Sequence, residues 1–265
     1  MPEEALLFSY AASVATLTFN RPEVLNAIDL STAETLHRQL TDAERNPEIR
    51  AVILTGRGRG FCAGGDLRFA LAVNPHSPGD SFLALTHTLH ASILKLRQMD
   101  KPVIAAINGP AAGAGLFLAL ACDVRVMAGS AYLKQSNTSY GLSIPAGGTF
   151  TLPRLVGLAK ALEIALLDEP IPAAHALELG LVNKVVPQSR LLSEAQQLAE
   201  RLANRPVGAL GRVKRLLNGA FEASLAEQLE REWQEIAASA NSAEGREGIT
   251  AFLEKRQPDF MLSGV

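Results

Sequence analysis

The chain has 265 residues, 48% of them hydrophobic and 20% charged, with a formal net charge of -2. This fits a folded protein with a sizeable core, and a near-neutral balance without blocks of like charge argues against nucleic acid or an anionic membrane as partner. Two cysteines, an acidic Met-Pro-Glu-Glu start and no apolar stretch longer than residues 111–122 argue against a disulfide framework, a signal peptide and a membrane span, so the sequence reads as a cytoplasmic protein.

Residues 13–19 alternate Val14, Thr16 and Thr18 against Ala15, Leu17 and Phe19, which predicts a strand, and Asn20-Arg21-Pro22 ends it. Ser31-Thr32-Ala33-Glu34 has the spacing of a capping box and predicts a helix to about Arg45. An apolar strand over 51–55 leads into the turn Gly60-Phe61-Cys62-Ala63-Gly64-Gly65-Asp66-Leu67. Residues 74–80, rich in Pro, Ser and Gly, read as a mobile loop before a helix over 82–98. A strand over 103–107 then meets a second turn, Asn108-Gly109-Pro110-Ala111-Ala112-Gly113-Ala114-Gly115-Leu116, followed by a helix over 115–121 and a strand over 123–127. From about Leu158 the pattern is almost entirely helical: 158–167, 173–179, 191–204, 208–218, 225–238 and 244–256, with one strand over 181–186. The first half is therefore an α/β layer fold. A composition shift near Leu192 divides the chain into a core (1–190) and a helical C-terminal region (191–265), which covers the core or packs on another subunit.

The paired glycine turns are the most specific feature. Two such turns can aim two backbone N–H groups at one point and so hold a negatively charged oxygen without a charged side chain. A dinucleotide fingerprint fits poorly, because Leu118 stands where its third glycine belongs and no ribose-binding acid follows at the expected distance. No Gly-Lys-Ser/Thr phosphate loop is present.

Over nearly its whole length the chain resembles the enoyl-CoA hydratase/isomerase (crotonase) superfamily. The resemblance rests on residues 20–27, 60–67 and 101–116, on Gly141-Leu142-Ser143-Ile144-Pro145-Ala146-Gly147-Gly148-Thr149, and on residues 173–186 and 246–256. Within the superfamily it looks most like the phenylacetate-pathway enoyl-CoA isomerases. The resemblance implies a ClpP/crotonase-like spiral of β-β-α units with a helical trimerisation region, a homotrimer or hexamer, and an acyl-CoA substrate of the kind met in fatty acid metabolism. It implies no metal and no cofactor beyond the coenzyme A moiety of the substrate. By position it assigns the N–H groups of Gly65 and Ala114 to an oxyanion hole. It also assigns Val24, Leu25, Ala27, Ala63, Asp66 and Leu67 to the coenzyme A pocket, and Phe252 and Lys255 to the coenzyme A of a neighbouring subunit. Asp66 equally fits a helix N-cap, and Lys255 a solvated helix face.

Three positions depart from the resemblance. The two glutamates of the hydratases correspond to Phe117 and Asn137, and the isomerase aspartate to Ala146. None of these side chains can accept a proton near neutral pH. His90, on a helix face with Leu83, His87 and Leu94, is a candidate proton carrier, and alternatively a partly packed surface histidine. Asn137, with Ser136, Ser139 and Tyr140, can hydrogen-bond an acyl group or a water. Phe82, Leu83, Phe117 and Tyr140 suggest an apolar pocket. Three readings follow: an enolate-stabilising acyl-CoA enzyme, in which double-bond isomerisation is easier than hydration; a thioesterase or other enolate chemistry using His90; and a non-catalytic acyl-CoA-binding subunit.

Overall fold

The computed structural model describes residues 4–261. Its strands are β1 (Leu6–Ala11), β2 (Val14–Phe19), β3 (Ala51–Gly56), β4 (Val103–Ile107), β5 (Ala111–Ala112), β6 (Val124–Ala128), β7 (Tyr132–Lys134), β8 (Ile171–Pro172) and β9 (Lys184–Val186). Its helices are α1 (Leu30–Arg45), α2 (Leu67–Val73), α3 (Pro78–Gln98), α4 (Ala114–Ala121), α5 (Gly148–Val156), α6 (Leu158–Leu167), α7 (Ala173–Glu178), α8 (Leu191–Ala203), α9 (Val207–Gly219), α10 (Leu225–Asn241) and α11 (Ala243–Leu253).

A six-stranded sheet runs β1-β2-β3-β4-β6-β9, parallel except for the β1–β2 hairpin, and a small second sheet runs β5-β7-β8. The chain visits the two sheets in turn: β4 then β5 then α4, and β6 then β7 then α5 and α6. The first turn of the spiral does the same with β3, the Cys62 bridge to Ala111 and helices α2 and α3. This is the expected spiral of β-β-α units. Strands β3 and β4 are buried on both faces, so they read as unbroken apolar runs without alternation. Helix α4 is apolar all round and buried at every residue, as a helix at the centre of the molecule must be.

Several boundaries differ from expectation. The cap of α1 is Asp29, whose Oδ1 accepts the Thr32 N–H at 2.8 Å; Ser31 lies inside the helix, so the capping-box reading was two residues late. Helix α3 begins at Pro78, which pre-sets the first helical φ, and the expected loop over 74–80 shrinks accordingly. Strand β1 and helix α5 were not anticipated. The edge strand β1 is exposed beyond Leu6 and shows no alternation, while α5 carries Pro153 and two glycines at its start that read as turn residues. Helix α8 opens the expected C-terminal region, but it packs across β2, β3, β4 and β6, with Leu191, Ala195, Ala199 and Ala203 buried against them. Helices α9, α10 and α11 form the outer layer, with Leu225, Trp233, Ile236 and Phe252 exposed.

Cys62 and Cys122 are free and buried, and burial pushes both thiols up to about 12. A thiol-specific alkylating reagent at mildly alkaline pH is expected to label neither in the native protein and both in denaturant, read by intact mass. Rapid native labelling of Cys62 would mean that the first glycine turn opens to solvent.

Candidate functional site

The site begins with a backbone zipper between the two glycine turns. Phe61 and Cys62 donate their N–H groups to the Pro110 carbonyl at 3.0 and 3.2 Å, and Ala112 donates to the Cys62 carbonyl at 2.9 Å. Asn26 ties the preceding segment down: its Oδ1 accepts the Arg21 N–H, and its Nδ2 donates to the Arg57 and Gly60 carbonyls. The approach is too close for side chains. A β-carbon on Gly115 would overlap the Cys62 carbonyl, and one on Gly64 (φ +99°) would press on Ala112 O at 2.9 Å and Ala114 N at 3.1 Å.

This packing brings Gly65 and Ala114 to the wall of one cavity of about 460 Å3. Among the described residues neither N–H finds an acceptor within the protein. Ala114 is the first residue of α4, where unpaired N–H groups and the helix dipole concentrate positive potential. Two residues of one cavity wall therefore carry backbone donors without a protein acceptor, one of them at a helix terminus.

The rest of the cavity is mostly apolar. Ile28, Phe82, Leu85 and Leu89 form one side, and Tyr140, Leu142 and Pro145 another; Thr86, Ser136, Asn137 and Ser143 supply polar atoms. None of the described lining residues is Asp, Glu, His, Lys, Arg or Cys, and Tyr140 is the one ionisable side chain among them. Of the four residues expected in an apolar pocket, Phe82 and Tyr140 line it. Phe117 is fully buried and packs where a β-carbon on Gly148 would fall, and Leu83 points to solvent. Asn137 lies against Gly113, and its Nδ2 is buried without a partner.

One wall is the loop over 136–147, held by side chains at both ends. Asp168, at the C-terminus of α6, accepts the Ser136 and Ser139 N–H groups and the Ser139 hydroxyl. At the other end His90 does not line the cavity. Its Nε2 accepts the Ala146 N–H at 3.0 Å, and burial, with His87 second, holds its pKa below the ordinary imidazole value. Ser136 (φ +64°) and Ala146 (φ +56°), the residues so tied, are both non-glycine residues in the left-handed region.

The positions assigned by resemblance to coenzyme A fall into two places. Leu25, whose carbonyl accepts the Ala63 N–H at 3.0 Å, lies with Val24 and Ala27 beside the first glycine turn. Ala63 and Leu67 line the cavity, and the Ala63 carbonyl accepts no hydrogen bond among the described residues. Asp66 is the N-cap of α2, accepting from Arg68 and Phe69 N–H, and also pairs with Arg21 at 3.0 Å. Phe252 and Lys255 stand at the far end of α11, exposed and apart from this cavity.

Sequence reasoning missed Asp168, Thr86, Leu85, Leu89 and Ile28. Leu85 and Leu89 were within reach, since they are one turn apart on a helix. Asp168 acts on residues some thirty positions away and carries no local signature.

The sequence profile of the enoyl-CoA hydratase/isomerase family matches residues 9–262. The chain is 41% identical to the 1,2-epoxyphenylacetyl-CoA isomerase of Escherichia coli (strain K12), over 97% of this chain and 98% of that one. It is 33% identical to the short-chain-enoyl-CoA hydratase of Clostridium acetobutylicum, over 92% of each. Among solved structures it is similar to an enoyl-CoA hydratase from Polaromonas sp. JS666, with a TM-score of 0.91 and 39% identity over 96% of this chain and 98% of that one.

Because Asp168 takes three donors from the cavity loop, Asp168→Ala is expected to cost about 2–3 kcal/mol of stability through orphaned N–H groups. Asp168→Asn, which keeps one acceptor oxygen, is expected to cost less. Denaturant melts of the two variants measure this; equal stability to the parent would remove Asp168 from the loop's support.

Proposed function

From the premise that the chain belongs to the enoyl-CoA hydratase/isomerase family, we propose that it processes an acyl-CoA thioester by stabilising the thioester enolate between the N–H groups of Gly65 and Ala114. The observation that carries this reading is the pair of unspent backbone donors on one cavity. Polarising the thioester oxygen loosens the protons on its α-carbon, and each preorganised donor contributes about 3–4 kcal/mol to such a step. The donors are backbone groups fixed by the glycine zipper, so no reorganisation is needed as charge develops.

The cavity's side chains bear on which reaction follows. Hydration needs a base for water and an acid for the α-carbon, each worth roughly 10²–10⁴-fold. Phe117, Asn137 and Ala146 supply neither, and no carboxylate lines the cavity among the described residues. Isomerisation moves one proton from carbon to carbon and needs no activated water, and it is the reaction this reading favours. The similarity to 1,2-epoxyphenylacetyl-CoA isomerase supports an acyl-CoA isomerase and, with Phe82 and Tyr140 in the wall, an acyl group with an apolar or aromatic body. Coenzyme A would run past Val24, Leu25, Ala27, Ala63, Asp66 and Leu67, with Phe252 and Lys255 serving a neighbouring protomer of a homotrimer or hexamer in the cytoplasm. A wall whose one ionisable side chain is the Tyr140 phenol favours a second reading, a non-catalytic acyl-CoA-binding subunit.

In heavy water, mass spectrometry is expected to detect α-deuterium or isomerised product from crotonyl-CoA, a 3-enoyl-CoA or an aromatic acyl-CoA. Ala114→Pro removes one donor at a helix position that tolerates proline, and Gly65→Pro removes the other. Each is expected to slow exchange about 10²–10³-fold while acyl-CoA binding persists. Binding without exchange in the parent protein would replace the enzyme reading with the binding-subunit reading.

A further inference from the structure

Half of the loop wall hangs from one side chain. Between Ser143 and Gly147, the Ala146 N–H is the one backbone donor with an acceptor among the described residues, and that acceptor is His90 Nε2. Ala146 is buried and holds a left-handed φ that an L-residue with a side chain resists. Immediately before it come Leu142, Ser143 and Pro145 of the cavity wall, and after it Gly147 opens α5. His90 belongs to α3, whose Leu85, Thr86 and Leu89 form a different part of the wall. The bond thus clamps two walls of one cavity together.

We propose that His90 is a positioning residue, not a proton carrier: its neutral imidazole, accepting the Ala146 N–H, holds the strained turn and with it the loop wall of the cavity. An imidazolium has no lone pair to offer, so the clamp exists only with Nε2 unprotonated. It is present at neutral pH and lost as pH falls below the ordinary imidazole range; His90 stays exposed on its outer side, and its partial burial, with His87 beside it, favours the neutral form. The charges around it are few. His87 lies one turn away on the same helix, the loop over 136–147 carries the Tyr140 phenol alone, and α4 carries no titratable group. On α5, Arg154 stacks over Phe150, and α2 contributes Arg68. Helix α1, packed against α3, carries Glu34, His37, Arg38, Asp42, Glu44 and Arg45, and its Glu44 pairs with Lys95 near the C-terminal end of α3; on α9, Lys214 pairs with Asp123 and Arg215 with Asp100.

Hydrogen–deuterium exchange of peptides spanning 136–149 tests the clamp without any ligand. His90→Ala is expected to speed exchange there about five- to tenfold, the worth of one hydrogen bond, with β3 and α4 peptides unchanged. Acidifying the parent protein is expected to do the same after correction for intrinsic rates, whereas His90→Gln, whose amide oxygen accepts at any pH, stays protected. Adding Ala146→Gly to His90→Ala is expected to recover protection at the flanking Leu142 and Gly148 amides, because glycine holds a positive φ without a clamp, but not at residue 146, whose acceptor is gone. For acyl-CoA binding, which rests on the function proposed above, dissociation constants for crotonyl-CoA are expected to follow the same order across these variants. Unchanged exchange in His90→Ala, or exchange that rises while crotonyl-CoA affinity stays constant, would overturn the inference. If His90→Ala does not fold, the acid response of the parent against His90→Gln decides it. Failure of the parent protein to bind any acyl-CoA would instead sink the functional reading, and the exchange result would still decide the role of His90.

Discussion

The whole site depends on how closely two stretches of backbone approach each other between Cys62 and Ala112. That contact admits no β-carbon on Gly115 or Gly64, and it leaves the Gly65 and Ala114 N–H groups without a protein acceptor among the described residues. An unpaired N–H inside a protein costs free energy unless something else occupies it. Here the rest of the fold absorbs that cost: β3 and β4 are locked parallel beneath the turns, and α4 is buried on every face so that its first turn cannot move. Phe19 and Phe61, edge to face with centroids 6.1 Å apart, fix the first turn against the end of β2. The cavity's chemistry is thus a by-product of close packing, and its precision is that of the core.

The electrostatics follow the same economy. Charged side chains near the cavity are spent on architecture. Arg21 lies between Asp29 and Asp66, two helix caps, at 3.0 Å from each, and Asp168 is fully engaged by the loop. The polar residues that line the cavity are uncharged: an asparagine, two serines, a threonine and a tyrosine, beside Gly65 and Ala114 with their unpaired backbone donors. Dipoles fixed by a rigid frame stabilise developing charge without the desolvation penalty that a buried ion would bring.

How much of this was legible in the sequence depended on range. Gly64 and Gly115 announce themselves because glycine is required where backbones touch, Gly113 because the turn needs a positive φ, and apolar runs at 51–55 and 103–107 announce doubly covered strands. The central spiral and the pairing of the turns were readable for that reason. Asp29 was overlooked because Ser31 offered an equally good local pattern, while the ion pair of Asp29 with Arg21 carries no local signature. Strands β5 and β8, two residues each, have no periodicity to read and exist only because β7 lies between them. The clamps by Asp168 and His90 link residues 29 to 56 positions apart, and nothing in composition or spacing encodes such a pairing. His90 reads in the sequence as a proton carrier or a partly packed histidine, and its visible role, a hydrogen bond to backbone, lies nearer the second.

The position of α8 has a consequence for how this protein comes into being. Leu191, Ala195, Ala199 and Ala203 are buried to 2% exposure or less against a sheet whose strands were all but complete some sixty residues earlier. Until those residues leave the ribosome, the apolar rows of β2, β3, β4 and β6 lack their cover. A nascent chain of this protein therefore carries an open hydrophobic face through the synthesis of α5, α6 and α7, and the step that ends this exposure is the docking of α8. Parallel strands paired across long connections already fold slowly. This fold adds a requirement for chain not yet made, so the interval of risk for aggregation is set by the rate of translation as much as by the physics of the sheet.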